Sequence, residues 1–211
     1  MKIINKIELA KIKQEKLLSL KPIKFIVNEI CDCLVKKQEV AAFTLTNYLF
    51  EASLKIALIY WESGGQFIED LKDFENLHRK GTKKYLGKDL FKVIGAAERS
   101  KLITSEERES LLFFLNHFRD PFSHASNNAE ISSSMIASFD ESMSYKKISV
   151  SGNPILYFDY QERYMRGRVY HYFMDLYSYV LKWEKMINEL RHRNNTKNRI
   201  GKKYFSKKQS L

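Results

Sequence analysis

Between Phe118 and His124 the chain reads Phe-Arg-Asp-Pro-Phe-Ser-His, and these residue types suit phosphate-ester chemistry. Arg119 carries a planar guanidinium that can fork onto phosphate oxygens and stabilise charge on a crowded phosphate in a transition state. His124, with an ordinary pKa of ~6.5, can accept a proton or donate one near neutral pH. RNA supplies its own nucleophile, the 2′-hydroxyl, so such a pair can cut it without a metal ion or any other cofactor. The spacing matters because of Pro121. Proline cannot continue an i→i−4 ladder and disfavours helix in the residue before it, so a helix arriving at Arg119 must yield near Asp120. Asp120 is well suited to N-cap the next helix, with Pro121 at its first position, and His124 then sits one turn in. The break is expected to set Arg119 and His124 beside one cleft, supported by Asn116, Asp120 and Ser123. Ser123 has no activating base of its own, which argues against a serine nucleophile.

An arginine and a histidine separated by four residues occur once more, at Arg166 and His171. There the residue after the arginine is glycine, no proline breaks the chain, and the pair is expected on the face of the last helix. No glycine-rich phosphate loop, paired Cys/His metal spacing, zinc-protease helix or serine-hydrolase elbow is present. A plainer reading stands beside the catalytic one. His124 can cap or pack near a helix start, and Arg119 can pair with Asp120, Glu51 or another acid. Glu51 and Lys55, at i and i+4 within an apolar helix, read as a structural pair.

The elements that must position these residues are helical. Eight glycines and three prolines in 211 residues are too few for a turn-rich β-sandwich or barrel. Apolar residues interleave with lysines from Lys2 to Ser19. Pro22 restarts the chain, and Ile23, Ile26, Val27, Ile30 and Leu34 form a second stripe. Gln38 to Trp61 is apolar on nearly all sides and should be the central helix, stopped by Gly64-Gly65. A short helix is expected over Phe67 to Leu77, followed by a basic turn, His78 to Lys84. Asp89 to Ser100 carries Leu90, Val93, Ile94 and Ala97. Thr104 with Glu107 forms a capping box for a helix through Leu111, Phe114, Leu115 and Phe118, the stripe that runs into Arg119. Residues 126–144 read as a Ser/Asn-rich connection. Ile148 to Ser151 and Pro154 to Phe158, around Gly152-Asn153, predict a small β-hairpin at about 147–158. The last helix, about Tyr160 to Arg193, is rich in aromatic residues, read as bundle core or dimer interface rather than a base-stacking platform.

With Arg119, the polar Asp120 and His124 placed at the end of an amphipathic helix behind a long buried one, residues 23–125 resemble the HEPN superfamily. The resemblance implies an all-α helical bundle of HEPN type, here with the hairpin as an insertion. It implies a metal-independent endoribonuclease of the toxin or phage-defence kind, with Arg119 and His124 catalytic. It also implies a homodimer whose two motifs face one composite active site, RNA as partner, and a cognate antitoxin. Some members carry a tyrosine two residues after the histidine; this chain has Ser126 there.

Charge and class add boundaries. The 36 Lys+Arg exceed the 25 Asp+Glu by eleven, and the surplus sits at the ends. Residues 191–211 hold eight bases and no acid, and residues 1–24 hold seven lysines against Glu8 and Glu15, so the body is nearly neutral. The expected organisation is a basic N-terminal helix (1–22), a helical domain (23–190) and a basic tail (191–211). Arg191, Arg193, Lys197, Arg199, Lys202 and Lys203 of that tail are candidate RNA contacts, because neutralising phosphates releases counterions. Apolar runs are too short for a bilayer, no signal-peptide pattern opens the chain, and Cys31 and Cys33 point different ways on a helix. The expectation is a reduced, cytoplasmic protein without a membrane partner. Two functional alternatives remain open: a non-catalytic HEPN-like module binding RNA or a nucleotide, and a helical interaction or antitoxin partner protein.

Overall fold

The computed structural model describes residues 5–65, 83–119, 135–139, 145–149 and 154–208, with the side chains of the last helix described within 163–196. The elements in chain order are α1 (Lys6–Gln14), a 3-10 turn (Lys21–Ile23), α2 (Lys24–Val35), α3 (Glu39–Glu62), α4 (Leu90–Arg99) and α5 (Ser105–Phe114). A π-helical turn (Leu115–Arg119), strands β1 (Met135–Phe139) and β2 (Tyr145–Ser149), and α6 (Pro154–Lys208) follow. The all-α reading holds for the bulk of the chain.

Local sequence explains most boundaries. Asn5 caps α1 through Glu8 N–H, and Asp89 caps α4 through Lys92 N–H. Thr104 and Glu107 close the expected capping box at 3.3 and 2.9 Å. Three helices end alike. Lys37, Gly64 and Lys101 adopt positive φ, and the next amide reaches back to the carbonyl of Cys33, Tyr60 or Ala97. At Gly65 glycine is required twice over. Its φ is +71°, and a Cβ there would stand 2.8 Å from the Ile187 carbonyl oxygen.

Helix α3 is the hub, packing on α2, α4 and α6, while α1 lies on α2 and α4 on α5. Leu9, Ile12, Leu17 and Leu20 are buried in the same core as Phe43, Phe50, Tyr172, Phe173 and Trp183. The N-terminal residues are thus continuous with the body. No helix among the described residues is long and apolar enough to cross a membrane.

Two expectations change. The hairpin lies earlier than 147–158: Tyr145–Ser149 pairs antiparallel with Met135–Phe139, Met135 opposite Ser149 and Phe139 opposite Tyr145. Pro154 to Phe158 instead opens α6, a position proline tolerates because its missing N–H has no partner there. The 191–211 stretch also differs, since α6 runs unbroken through Arg191 to Lys208. The helix expected over 67–77 and the basic turn expected over 78–84 lie outside the described residues as far as residue 82, and Lys83 and Lys84 are helical.

One carboxylate ties the two ends of the chain together. Glu184 is buried and accepts from the backbone N–H groups of Leu18 (2.7 Å), Ser19 (2.9 Å) and Leu20 (2.8 Å), and from Asn188 Nδ2 (2.8 Å). Glu184→Ala strips three successive amides, those of Ser19 and Leu20 buried, of their acceptor. Its unfolding free energy in urea should fall by about 2–4 kcal/mol, whereas Glu189→Ala, at an exposed site one turn on, should change it by less than ~0.5 kcal/mol.

Candidate functional site

Arg119 is the last residue of the π-helical turn that extends α5. The turn is held from the core side. Leu111, Phe114, Leu115 and Phe118 are all buried, and Phe118 stacks on Tyr172 of α6 at 4.6 Å and 10°. Phe114 and Phe43 complete the cluster, tilted at 5.4 and 5.5 Å from the same ring. Tyr172 is fixed at its far end, donating its hydroxyl to Asn47 Oδ1 of α3 at 2.9 Å. Burial pushes the Tyr172 phenol far above its ordinary range, so it stays a neutral donor. A π turn widens the helix and re-aims the residues that follow it. Here it carries Arg119 toward α3.

There Arg119 meets Glu51, an acid in the middle of the largely apolar α3. Its NH2 donates to Glu51 Oε2 at 2.9 Å, and its side chain is only 20% exposed. Glu51 Oε1 accepts from Lys55 Nζ at 2.7 Å, and Lys55, 7% exposed, also donates to the Leu86 carbonyl at 3.0 Å. Partial burial works against the ionised Glu51 carboxyl, but hydrogen bonds from Lys55 and Arg119 outweigh it and hold the group below its usual pKa. Two cations on one carboxylate leave a formal charge of +1. Such a cluster orients the guanidinium while retaining attraction for an anion.

The remaining expected site residues divide. Asn116 is exposed on the π turn. His117 on the same turn is half-buried, stacked on Phe113 at 4.1 Å with Nδ1 3.1 Å from the Phe113 carbonyl. Asp120, Ser123 and His124 lie outside the described residues, as does Pro121. In the second arginine–histidine pair both Arg166 and His171 are exposed on α6. Five residues on a regular helix separate two side chains by roughly 140°, so these two do not share a face.

Arg191 requires correction as a candidate RNA contact. Its guanidinium donates to the Gly65 carbonyl (2.8 Å), Asn188 Oδ1 (2.9 Å) and Ser19 Oγ (2.6 Å), which makes it a half-buried clamp inside the fold. Arg193 is exposed, 3.9 Å from Glu189. Lys197, Arg199, Lys202 and Lys203 lie on the helical backbone of α6, and their side chains are outside the described residues. Among the described residues no group of three His, Cys, Asp or Glu comes together to hold a metal. Burial raises the Cys31 thiol to about 11, so it is a core residue rather than a reactive thiolate. Glu184 and Asn188 escaped the sequence reading, whereas Tyr172 belongs to the aromatic set of the last helix read as bundle core. The i, i+4 spacing of Glu184 and Asn188 was the only local signal for that pair.

The Glu51 cluster predicts a pH dependence. Its folded-state pKa lies below the ordinary 4.5, so its stabilising contribution is complete above that value and lost as pH falls through the folded pKa. The stability gap between wild type and Glu51→Gln should hold steady from about pH 7 to about pH 5 and narrow below the 4.5 mark. Urea denaturation across that range measures it. Compared with known proteins, the chain matches no family model, and no curated protein or solved structure is detectably similar to it.

Proposed function

We propose that the chain is a metal-independent endoribonuclease of HEPN type, acting as a toxin or phage-defence effector. The observation that carries this reading is Arg119, oriented by Glu51 at the end of a helix that widens just before Pro121. In this reaction the Arg119 guanidinium binds the scissile phosphate and stabilises the charge that develops on its non-bridging oxygens. His124 takes the 2′-hydroxyl proton as that oxygen attacks phosphorus, and the 5′-oxygen leaves with a proton, giving a 2′,3′-cyclic phosphate. One chain supplies one such histidine. A two-fold dimer supplies a second from its partner, so that one acts as base and the other as acid. The surplus of positive charge at the two ends of the chain favours a polyanionic substrate. The same ion pair favours a second reading. A guanidinium already satisfied by Glu51 also suits a non-catalytic RNA- or nucleotide-binding module, or a helical partner protein such as an antitoxin.

Incubation with single-stranded RNA in EDTA separates these readings. The nuclease reading expects cleavage with 2′,3′-cyclic phosphate ends, reduced about 100-fold or more by Arg119→Ala and by His124→Ala individually. RNA binding without cleavage at any pH would leave the binding module. Absence of both would leave the interaction protein.

A further inference from the structure

Helices α5 and α6 meet where Lys182 bonds Glu107 and again where Phe118 stacks on Tyr172, so they run antiparallel. Between those two contacts an open cavity of ≈ 390 Å³ is lined by Ser110, Phe113, Phe114, Asp175, Ser178 and Tyr179. That volume lies at the lower end of the range of ~300–1,000 Å³ for ligand cavities, suited to one planar ring system rather than a peptide helix. The lining is chemically specific. Phe113 is 46% exposed, a large aromatic left in water, and its ring is steadied by His117 stacked at 4.1 Å and 22°. Phe114 and Tyr179 meet edge to face at 6.3 Å, forming a rigid apolar wall. Asp175 is exposed, and among the described residues no hydrogen bond or ion pair engages its carboxylate. Ser110 and Ser178 direct their hydroxyl protons to the Glu106 and Asp175 backbone carbonyls, so each hydroxyl oxygen keeps its accepting lone pairs.

We propose that this cavity binds an unpaired guanine of single-stranded RNA, stacked on Phe113 and held at its Watson–Crick edge by Asp175. The proposal rests on the ribonuclease reading for its polymer and names the sequence preference of that same site. Aromatic faces accept any base, so selectivity comes from the carboxylate. Guanine is the base that presents two adjacent donors, N1–H and the exocyclic amine, to match two carboxylate oxygens. The amines of adenine and cytosine sit beside a ring-nitrogen acceptor, and the uracil imino group sits between two carbonyls. Each sets a lone pair against Asp175. Arg119 lies six residues beyond Phe113, about 9 Å along the helix axis but roughly 120° around it, so a strand joining a base in the cavity to a phosphate at Arg119 must wrap round the end of α5.

Isothermal titration of the full-length protein with guanosine, adenosine, cytidine and uridine 5′-monophosphates tests the subsite without any cleavage step. Guanosine monophosphate should bind about 5-fold or more tighter than the other three, as expected for one bidentate base contact. Asp175→Asn should abolish that preference, and Phe113→Ala should weaken all four by about 5-fold or more. Both side chains are exposed, and unchanged circular dichroism confirms that the variants fold. Equal binding of the four nucleotides, or a guanosine preference that survives Asp175→Asn, overturns the proposal. Parallel cleavage assays in EDTA keep the two readings apart. RNA cut with no effect of Asp175→Asn on site choice removes the subsite and leaves the nuclease. Selective guanosine monophosphate binding without cleavage supports the subsite and removes the nuclease.

Discussion

The fold depends on a buried carboxylate satisfied by main-chain amides. Glu184 holds three successive N–H groups at Leu18 to Leu20, a concave arrangement of donors that elsewhere would bind a free anion. Here the anion is covalently part of the chain. Asn188, Arg191 and Asn194 continue along the same stretch of α6, and they fasten Ser19 and the carbonyls of Gly64 and Gly65. One polar stripe therefore secures the end of α3 and the segment before α2 at once. An ionised group taken out of water is tolerated only when its lone pairs are filled, and that requirement makes the geometry of this corner narrow.

From that corner the order propagates toward Arg119. With α6 anchored, its Tyr172 is held at a defined height against α3, where Asn47 takes its hydroxyl proton. Phe118, Phe114 and Phe43 then pack around a ring that cannot slide. The widened turn at Leu115–Arg119 satisfies two demands: Phe118 must reach Tyr172, and the arginine must reach Glu51 across 68 residues of sequence. Packing sets where the guanidinium is, and electrostatics set which way it points.

What the sequence made legible follows the range of the interactions. The central helix, the Gly64-Gly65 stop, the Asp89 cap and the Thr104–Glu107 box are local signals, written within a few residues of where they act. The Glu51–Arg119 contact was foreseeable only as one of several acids the arginine could choose. The hairpin shows how local signals compete. Alternating apolar residues around Gly152-Asn153 suggest a turn, but Pro154 is equally at home at the start of a helix, and β2 finds its partner upstream, at Met135–Phe139. Arg191 shows the limit of counting charge. It belongs by composition to a basic run, yet its partners Gly65 and Ser19 lie 126 and 172 residues away, where no pattern within a short window can announce them.

The 55-residue span of α6 carries a geometric implication. At 1.5 Å per residue it is about 80 Å long, roughly twice the width expected of a compact body of this chain length. Its last basic turns stand about 45–55 Å along the helix from Tyr172, too far to touch a phosphate held beside Arg119 of the same chain. A polyanion gripped there would be moored rather than aligned. Such a grip raises the local supply of strand near the body by tethering, much as a second binding module does, and leaves the geometry of any reacting bond to residues at the other end.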